Sequence, residues 1–533
     1  MTVQHVHTSV LVAGGGVTGL TTAAYLASRG VPTVLVERRP APSPHPRARG
    51  FNPRAVEVLR AVGLEAAVAE ASRGFDGHTL RARVRSLTGE ELLRHDLPGG
   101  ADLGGLTPCR WALLSQDRLE PLIRARAEEL GADVRFGTEL TTFEQEDDGV
   151  RAQVVHRATG RVAEVRANYL VAADGPRSRV RERLSIPVHG RWGLHHQLSI
   201  VFDADLAAPL RGRRFAICQV QNDVVDGLLV HDDTLRQGTL YVRFDPSAEG
   251  GMDAFTRQRC AELVRAAIGD PDLPLSIRDT QPWELSAVTA ARFRDGRVFL
   301  AGDAAHVMPP VSGFGASTGI QDAQNLAWKL AAVVSGEAGA RLLDSYEQER
   351  LAVAALTVDQ CRRRVTNGTG FAAPQRGEGM LDDLTLTFGL RYRSGAVLDE
   401  GVDPDVSAYG PADLTGRPGT RLPHVWLRHL GRRISTLDLP VAGPVLLAGP
   451  VGDGWRTAAA RNELTLVAFD GDTDPDGGWE RRFRAAPGEA ILLRPDGYVA
   501  WRAPAPDDAA LATAAGAVRG RADAVPTPVG QRR

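Results

Sequence analysis

Apolar and polar positions along the chain set out a first structural unit at once. The short apolar run Ser9 to Ala13 reads as a buried strand, and apolar residues at helical spacing follow from Val17 to Arg29, where Gly30 stops the pattern. A second apolar run, Thr33 to Glu37, completes a strand–helix–strand unit. Pro40 to Arg49, rich in proline and basic residues, predicts a loop, and Pro53 to Val62 predicts the first turns of another helix. Helical spacing returns over Gln116 to Leu130 and yields at Gly131 to the strand Asp133 to Phe136. Further strands are expected at Val150 to Val155 and Tyr169 to Ala173.

Between His195 and Phe244 the pattern changes to alternation. Leu198 to Phe202, Phe215 to Val220, Leu228 to Val230 and Leu240 to Phe244 predict antiparallel strands of an inserted second domain. Asp253 to Ile268 is amphipathic at helical spacing; Arg297 to Ala301 is a short apolar strand, followed by a Gly/Pro-rich loop and a helix over Gly319 to Val334. Thr366 to Glu378, polar and Gly-rich, predicts a linker or mobile loop. From about Leu422, short strands such as Val445 to Leu447 and Leu464 to Phe469 alternate with a helical stretch, which predicts a separate small α/β domain. The tail from Asp507 is Ala-rich, and its last residues are expected to be disordered.

A chain of 533 residues has room for roughly three domains. A net charge of -2, with 24% charged residues, gives no electrostatic reason to expect nucleic acid or an anionic membrane as partner. No apolar run approaches the ~20 residues of a membrane span, and the N-terminus lacks the basic start and apolar core of a signal peptide. A soluble, cytoplasmic protein acting on a small molecule, as monomer or homodimer, is expected. Cys109, Cys218, Cys260 and Cys361 are scattered, without the close spacing of a metal site or redox pair, so no metal is expected.

Gly14-Gly15-Gly16-Val17-Thr18-Gly19 lies where the first strand meets the first helix. Absent side chains let a pyrophosphate approach the helix N-terminus, where free N–H groups and the helix dipole favour negative charge. Glu37, at the end of the second strand, is placed to accept hydrogen bonds from a ribose diol. This unit fits either FAD or NAD, because both carry adenosine diphosphate. A later segment, Arg297 to His306, is a strand ending in Gly302-Asp303, with Met308-Pro309-Pro310 and Gly313-Phe314-Gly315 after it. A carboxylate there, facing the same crevice as Gly14, suits ribityl hydroxyls, although a loop that merely ends a strand has the same composition.

Gly14 to Gly19, Asp174-Gly175 and Gly302-Asp303, in this order, resemble the class A flavoprotein monooxygenases, of which para-hydroxybenzoate hydroxylase is the best-known member. The resemblance spans Ser9 to Val353 in motif detail. It implies an α/β fold: a Rossmann-like FAD-binding domain over 1–77, 105–186 and 285–375, with an inserted antiparallel β-sheet substrate domain over 78–104 and 187–284. Residues 376–415 would form a linker and helix. The part from about Gly416 resembles the thioredoxin-like domain of the polyketide and anthracycline hydroxylase subgroup and occupies 416–533, without a Cys-x-x-Cys.

For the site, the resemblance implies FAD contacts from Gly14, Gly16, Val17, Thr18, Gly19, Glu37, Arg38, Arg47, Gln116, Leu140, Asp174, Gly302, Asp303, Pro310, Gly315, Ala316 and Ser317. Asp174 begins Asp174-Gly175-Pro176-Arg177, a segment implicated in both FAD and NAD(P)H binding. Arg47 and Arg391 are further candidates for substrate or flavin contact. Family members commonly have Gly-Gln-Gly-x-Asn where this chain has Gly313-Phe314-Gly315-Ala316-Ser317, so Ser317 replaces an amide. Phe215, Leu228, Trp283 and Phe314 are candidate apolar walls, each with core packing as the ordinary alternative.

The activity implied is hydroxylation of a polycyclic aromatic, polyketide-type substrate, with NADPH or NADH reducing FAD and molecular oxygen reacting to a C4a-hydroperoxyflavin. Baeyer–Villiger or epoxidising oxygen insertion on the same scaffold is an alternative, and a non-catalytic flavin-containing ligand-binding protein is another. Gly16→Asp tests the glycine turn: a carboxylate against the pyrophosphate should abolish FAD binding, so purified variant protein should be colourless, and retained flavin would place the site elsewhere.

Overall fold

The computed structural model describes residues 4–521 apart from 44, 97–102, 104, 249, 367–377, 400–405, 440–442 and 451–452. The expected linker over Thr366 to Glu378 therefore falls almost wholly outside the described residues, as do the last residues of the tail.

Gln4–Ala13, Thr33–Glu37, Asp133–Phe136, Arg161–Ala172 and Val298–Leu300 form the parallel part of the first sheet. Gln4–Ala13 lies at its centre, between Thr33–Glu37 and Arg161–Ala172, and Val298–Leu300 pairs with the outer side of Arg161–Ala172. Ala13 stands level with both Val36 and Ala172, and Leu300 level with Ala172. Four parallel strands thus end at one edge. The central strand is apolar on both faces because both are covered, so Val10, Leu11 and Val12 are fully buried.

The second sheet runs antiparallel through Val188–Ala204, Gln237–Phe244, Asp226–His231 and Phe215–Gln221, and Leu80–Val84 joins the last of these in parallel. Alternation divides its two faces. Leu198, Ile200, Leu229, Leu240, Val220, Leu80 and Ala82 pack with the helix Arg257–Ile268 in one apolar core. The opposite face carries the register row Ser199, Tyr241, Leu228, Gln219 and Arg83. Sequence periodicity placed the start of the helix at Asp253, but it begins at Arg257, because Thr256 caps it by accepting from the Arg259 N–H.

A larger difference concerns the helix expected from Gly319. It runs Phe314–Val334, so Gly315, Ala316 and Ser317 lie in its first turns rather than in a loop. Gly313 at φ +65° turns the chain into this helix. Gly319 does not break it and instead permits close packing, since a Cβ there would meet Thr18 Oγ1 at 2.3 Å.

Near the C-terminus Val445–Ala448 pairs in parallel with Thr465–Ala468 and antiparallel with Ala490–Leu493, which in turn pairs antiparallel with Val499–Ala503. This is the thioredoxin-like arrangement, without its dithiol. The unit is joined to the long helices Phe314–Val334 and Asp344–Thr366 by buried charge. Glu349, fully buried, accepts from Lys329 at 2.8 Å, Asn325 at 2.7 Å and Arg494 at 2.9 Å, and Arg494 also pairs with Asp496. Burial pushes the Lys329 ammonium down to about 8 against the pull of Glu349. Arg421 pairs with Glu57 at 2.8 Å, and Arg54 joins Glu57 to Gln324. Removing one partner of such a network strands the others in low dielectric. Glu349→Gln should therefore destabilise the holoenzyme by about 3–5 kcal/mol, seen as an earlier unfolding midpoint in denaturant; an unchanged midpoint would show that these charges do not hold the units together.

Candidate functional site

The parallel strand ends bring together residues far apart in sequence. Across one sheet edge lie Glu37, Gly14, Asp174 and Gly302-Asp303, each just at or beyond the end of its strand. Ligands of open α/β sheets sit at the carboxyl ends of strands, and the Gly16 N-cap opens the first helix at this point.

The glycines of the first turn divide into two kinds. At Gly14 (φ +113°) a Cβ would lie 2.1 Å from the Ala173 carbonyl oxygen, and at Gly19 it would lie 1.9 Å from that of Gly14. These two are required by the packing of helix against strands. At Gly16 the nearest atom would be Glu120 Oε1 at 3.7 Å, so the protein itself does not need that position bare. The open side of Gly16, at a helix N-terminus, is a cradle for an anionic group. Glu37 fixes the turn: Oε2 accepts from the Gly15 N–H at 2.7 Å, and Oε1 accepts from the Arg39 N–H at 2.8 Å. Burial raises its carboxyl, but these bonds outweigh it and hold Glu37 below the usual carboxylate range.

Thr18 joins the first turn to the Gly302-Asp303 segment. A Cβ at Gly302 would meet its Oγ1 at 2.4 Å, so this one side chain lies against both Gly302 and Gly319. Asp322 holds the same turn from behind, accepting from the Gly302 N–H at 3.0 Å, from His306 Nε2 at 2.6 Å and from Arg350 Nε at 2.7 Å. Burial raises the Asp322 carboxyl, but Arg350, His306 and the Gly302 N–H bring it down to about 2. Arg181 ties in the third strand end by donating to the Ala304 and Pro176 carbonyls at 2.8 and 2.9 Å.

Several carboxylate oxygens at this edge have no hydrogen-bond partner among the described residues. Asp303 is exposed at this edge, although the protein surrounds it closely enough that burial raises its carboxyl, with His306 and then Arg47 opposing. Asp174 uses Oδ2 to accept from the Val180 N–H at 3.3 Å, while its buried Oδ1 has no hydrogen-bond partner, and burial raises this carboxyl also. Glu120 is fully buried; Oε1 accepts from Gln116 at 2.7 Å and Oε2 has no partner. A glycine cradle for phosphate and carboxyls for hydroxyl groups form the donor and acceptor set that FAD requires.

Other anticipated residues fall variously. Arg47 is exposed, but its charge reaches both Asp303 and Glu120. Val17 is buried in the core, Arg38 is exposed beside the second strand, and Leu140 and Pro310 line neighbouring strand and loop positions. Gly315 and Ala316 are half-buried in the first helical turn. Ser317 is fully buried and accepts from the Asn52 N–H at 3.1 Å, so its oxygen fixes the neighbouring helix start. Arg391 is ion-paired with Asp399, and its guanidinium lies 6.0 Å from the Tyr409 ring. Phe215 belongs to the core face of the second sheet, owing to a register shift between Phe215 and Ile217, and is no pocket wall. Phe314 is buried in a cluster with Met308, Leu386 and Leu390, whereas Leu228 and Trp283 are half-buried on the open face.

Sequence reading missed Glu120, Asp322 and Arg49. Glu120 follows Gln116 by one helical turn, a spacing that could have revealed it. Arg49 donates to the His231 carbonyl at 3.2 Å and to Thr239 Oγ1 at 3.0 Å, holding the loop before Gly50 against the second sheet, and nothing local announces such a contact. Asp303→Ala should leave the apoprotein as stable as before or more so, because it removes a carboxylate that burial disfavours. FAD affinity should fall about 10- to 100-fold on titration of apoprotein with the cofactor, and equal affinity would remove Asp303 from the site.

With this geometry established, comparison with known proteins is informative. The family model for the FAD binding domain matches residues 7–361, and that for the aromatic-ring hydroxylase C-terminal domain matches residues 415–522. The chain is 42% identical over 521 residues to a putative polyketide hydroxylase of Streptomyces halstedii, covering 93% of each chain. It is also 42% identical over 539 residues to the tetracenomycin A2 monooxygenase-dioxygenase of Streptomyces glaucescens, covering 94% of each. Among solved structures, a ternary complex of aklavinone-11 hydroxylase with FAD and aklavinone superposes with a TM-score of 0.89 at 38% identity, covering 96% of this chain and 99% of that one. Two family models that meet the same three-part architecture, and relatives matched over nearly their whole length, identify this chain as a member of the FAD-dependent aromatic-ring hydroxylases, a flavoprotein monooxygenase.

Proposed function

We propose that this protein uses NADPH or NADH and molecular oxygen to hydroxylate a fused-ring, polyketide-type phenol, in the cytoplasm. One observation carries the reading: the open face of the second sheet looks across the loop at Pro46 toward the strand ends where FAD fits. Tyr241 donates to the Pro46 carbonyl at 3.4 Å, and Trp283, edge-on to Tyr241, donates to Ser199 at 2.9 Å. These bonds satisfy the polar ends of two aromatic side chains and leave their rings as apolar wall, which suits a flat aromatic ligand. A relative named for tetracenomycin A2 and a like structure holding aklavinone support this substrate class.

In this reading Gly14, Gly16 and Gly19 receive the pyrophosphate, Glu37 the adenosine ribose, and Asp303 the ribityl chain, with Thr18 and Asp322 holding the two segments in register. Asp174 and the arginines after it lie where a transient nicotinamide nucleotide could be met. FAD supplies electron transfer from nicotinamide and activation of oxygen. The protein's own work is placement and exclusion: Arg49 and Tyr241 pin the 46–49 loop to the sheet, so that water is kept from the reacting centre and the aromatic carbon is held near the flavin. No side chain is required as nucleophile. Purified yellow protein incubated with polycyclic phenols should consume NAD(P)H faster with substrate than without, and mass spectrometry should show a gain of one oxygen. Binding without oxygen uptake would overturn the reading. Tyr241→Phe should lower the yield of hydroxylated product per NAD(P)H consumed, because an unpinned loop admits water.

A further inference from the structure

The strand Leu80–Val84, second from the edge of the second sheet inside Glu91–Asp96, presents two arginines to the face that looks into the substrate region. In Leu80–Val84, Leu80, Ala82 and Val84 point into the apolar core, so Arg81 and Arg83 stand on the opposite face. The register confirms their side: Arg83 pairs with Gln219, which lies beside Leu228 and, one strand further, Tyr241. Arg83 Nε donates to Gln219 at 3.3 Å, which fixes the approach of its guanidinium.

Arg81 is the unusual one. It is half-buried, its Nε is shielded from solvent without a hydrogen-bond partner, and no carboxylate pairs with it among the described residues. Burial lowers its pKa, with Asp383 the one group that opposes. Asp383 is already engaged, accepting from Arg364 at 3.1 Å and from Ser312 at 2.9 Å, and Ser312 belongs to the loop just before the flavin helix. An arginine that serves only the fold either reaches water or pairs; a partly desolvated guanidinium facing a ligand region is matched by an anion.

Resting on the proposed aromatic pocket, we infer that Arg81, supported by Arg83, forms a subsite for an anion delocalised over two oxygens, a carboxylate or an ionised 1,3-dicarbonyl, carried by the substrate. The planar guanidinium presents two parallel N–H groups to such an oxygen pair, a match that a single phenol or an ester lacks. The subsite lies on the sheet while FAD fits at the strand ends, so it would orient a long aromatic molecule by its acidic end. Arg81 is thus a specificity-determining residue and takes no part in the oxygen chemistry.

The test reads binding through the perturbation of flavin absorbance in the oxidised holoenzyme, so it needs no turnover. The probes are 4,5-dihydroxyanthraquinone-2-carboxylic acid and its methyl ester, which share rings and phenols and differ in the oxygen pair. Wild-type protein should bind the acid at least about tenfold more tightly than the ester, as expected for a charge-assisted pair. Arg81→Met should erase the difference by weakening the acid alone, Arg81→Lys should restore part of it, and Arg83→Met should reduce it less. FAD content should stay as in wild type, which shows that each variant is folded. Equal binding of acid and ester by wild type, no binding of either, or equal weakening of both by Arg81→Met would overturn the inference. A preference for the acid without any oxygenated product would leave this subsite standing while refuting the hydroxylase reading.

Discussion

One buried carboxylate, Asp322, holds the arrangement on which the site depends. It faces the Gly302 N–H and His306 on one side and Arg350 on the other, so it fixes the turn after the Val298–Leu300 strand against the helix Phe314–Val334. A carboxylate in low dielectric survives only when charge and hydrogen bonds return what water gave, and here they lower its pKa well below the usual carboxylate range. Because the same turn carries Asp303, the position of that carboxylate follows from a side chain nineteen residues later.

From Asp322 the chain of contacts runs outward. Arg350 donates also to the Tyr392 hydroxyl at 2.9 Å, and the Tyr392 ring stacks on Tyr498 at 3.9 Å between centroids. Tyr498 lies in the C-terminal unit, next to the strand Val499–Ala503, and Arg494 and Asp496 of the same region meet Glu349 and Asn325. The thioredoxin-like unit therefore acts on this enzyme through buried ion pairs and stacked rings. It has no dithiol, and the four cysteines of the chain are all free and buried before it begins. Its contribution is to keep two long helices of the FAD-binding unit in place. The chain's one lysine belongs to this network, which explains a buried ammonium in a protein that otherwise uses arginine throughout.

Much of this was legible beforehand because it is local. Thr33–Glu37 forms the strand expected from its apolar run, since a short central strand buried on both faces carries an unmistakable pattern, and Asp133–Phe136, half-buried at the sheet edge, forms where Gly131 ended the helical pattern. The glycine turn was legible because close approach of backbone leaves a mark in sequence. The start of the Phe314–Val334 helix was not, since Gly315 and Gly319 look like breakers until Thr18 is seen packed against the second of them. The partner of Ser317 was not legible for a related reason, as the Asn52 N–H lies 265 residues away in the chain.

By itself the sequence determined the strand–helix–strand cradle, the second segment with its carboxylate and the division of chemistry between a cofactor and a shaped pocket, because glycines, strand periodicity and acid spacing act over short distances. Only the tertiary structure decided which glycines the packing requires and which stays open, that Arg391 is engaged with Asp399, and that the half-buried Arg81 has no carboxylate partner among the described residues. Those facts depend on which atoms meet across strands and helices hundreds of residues apart. A charged side chain has no assigned role until its neighbours, and the water it has lost, are known.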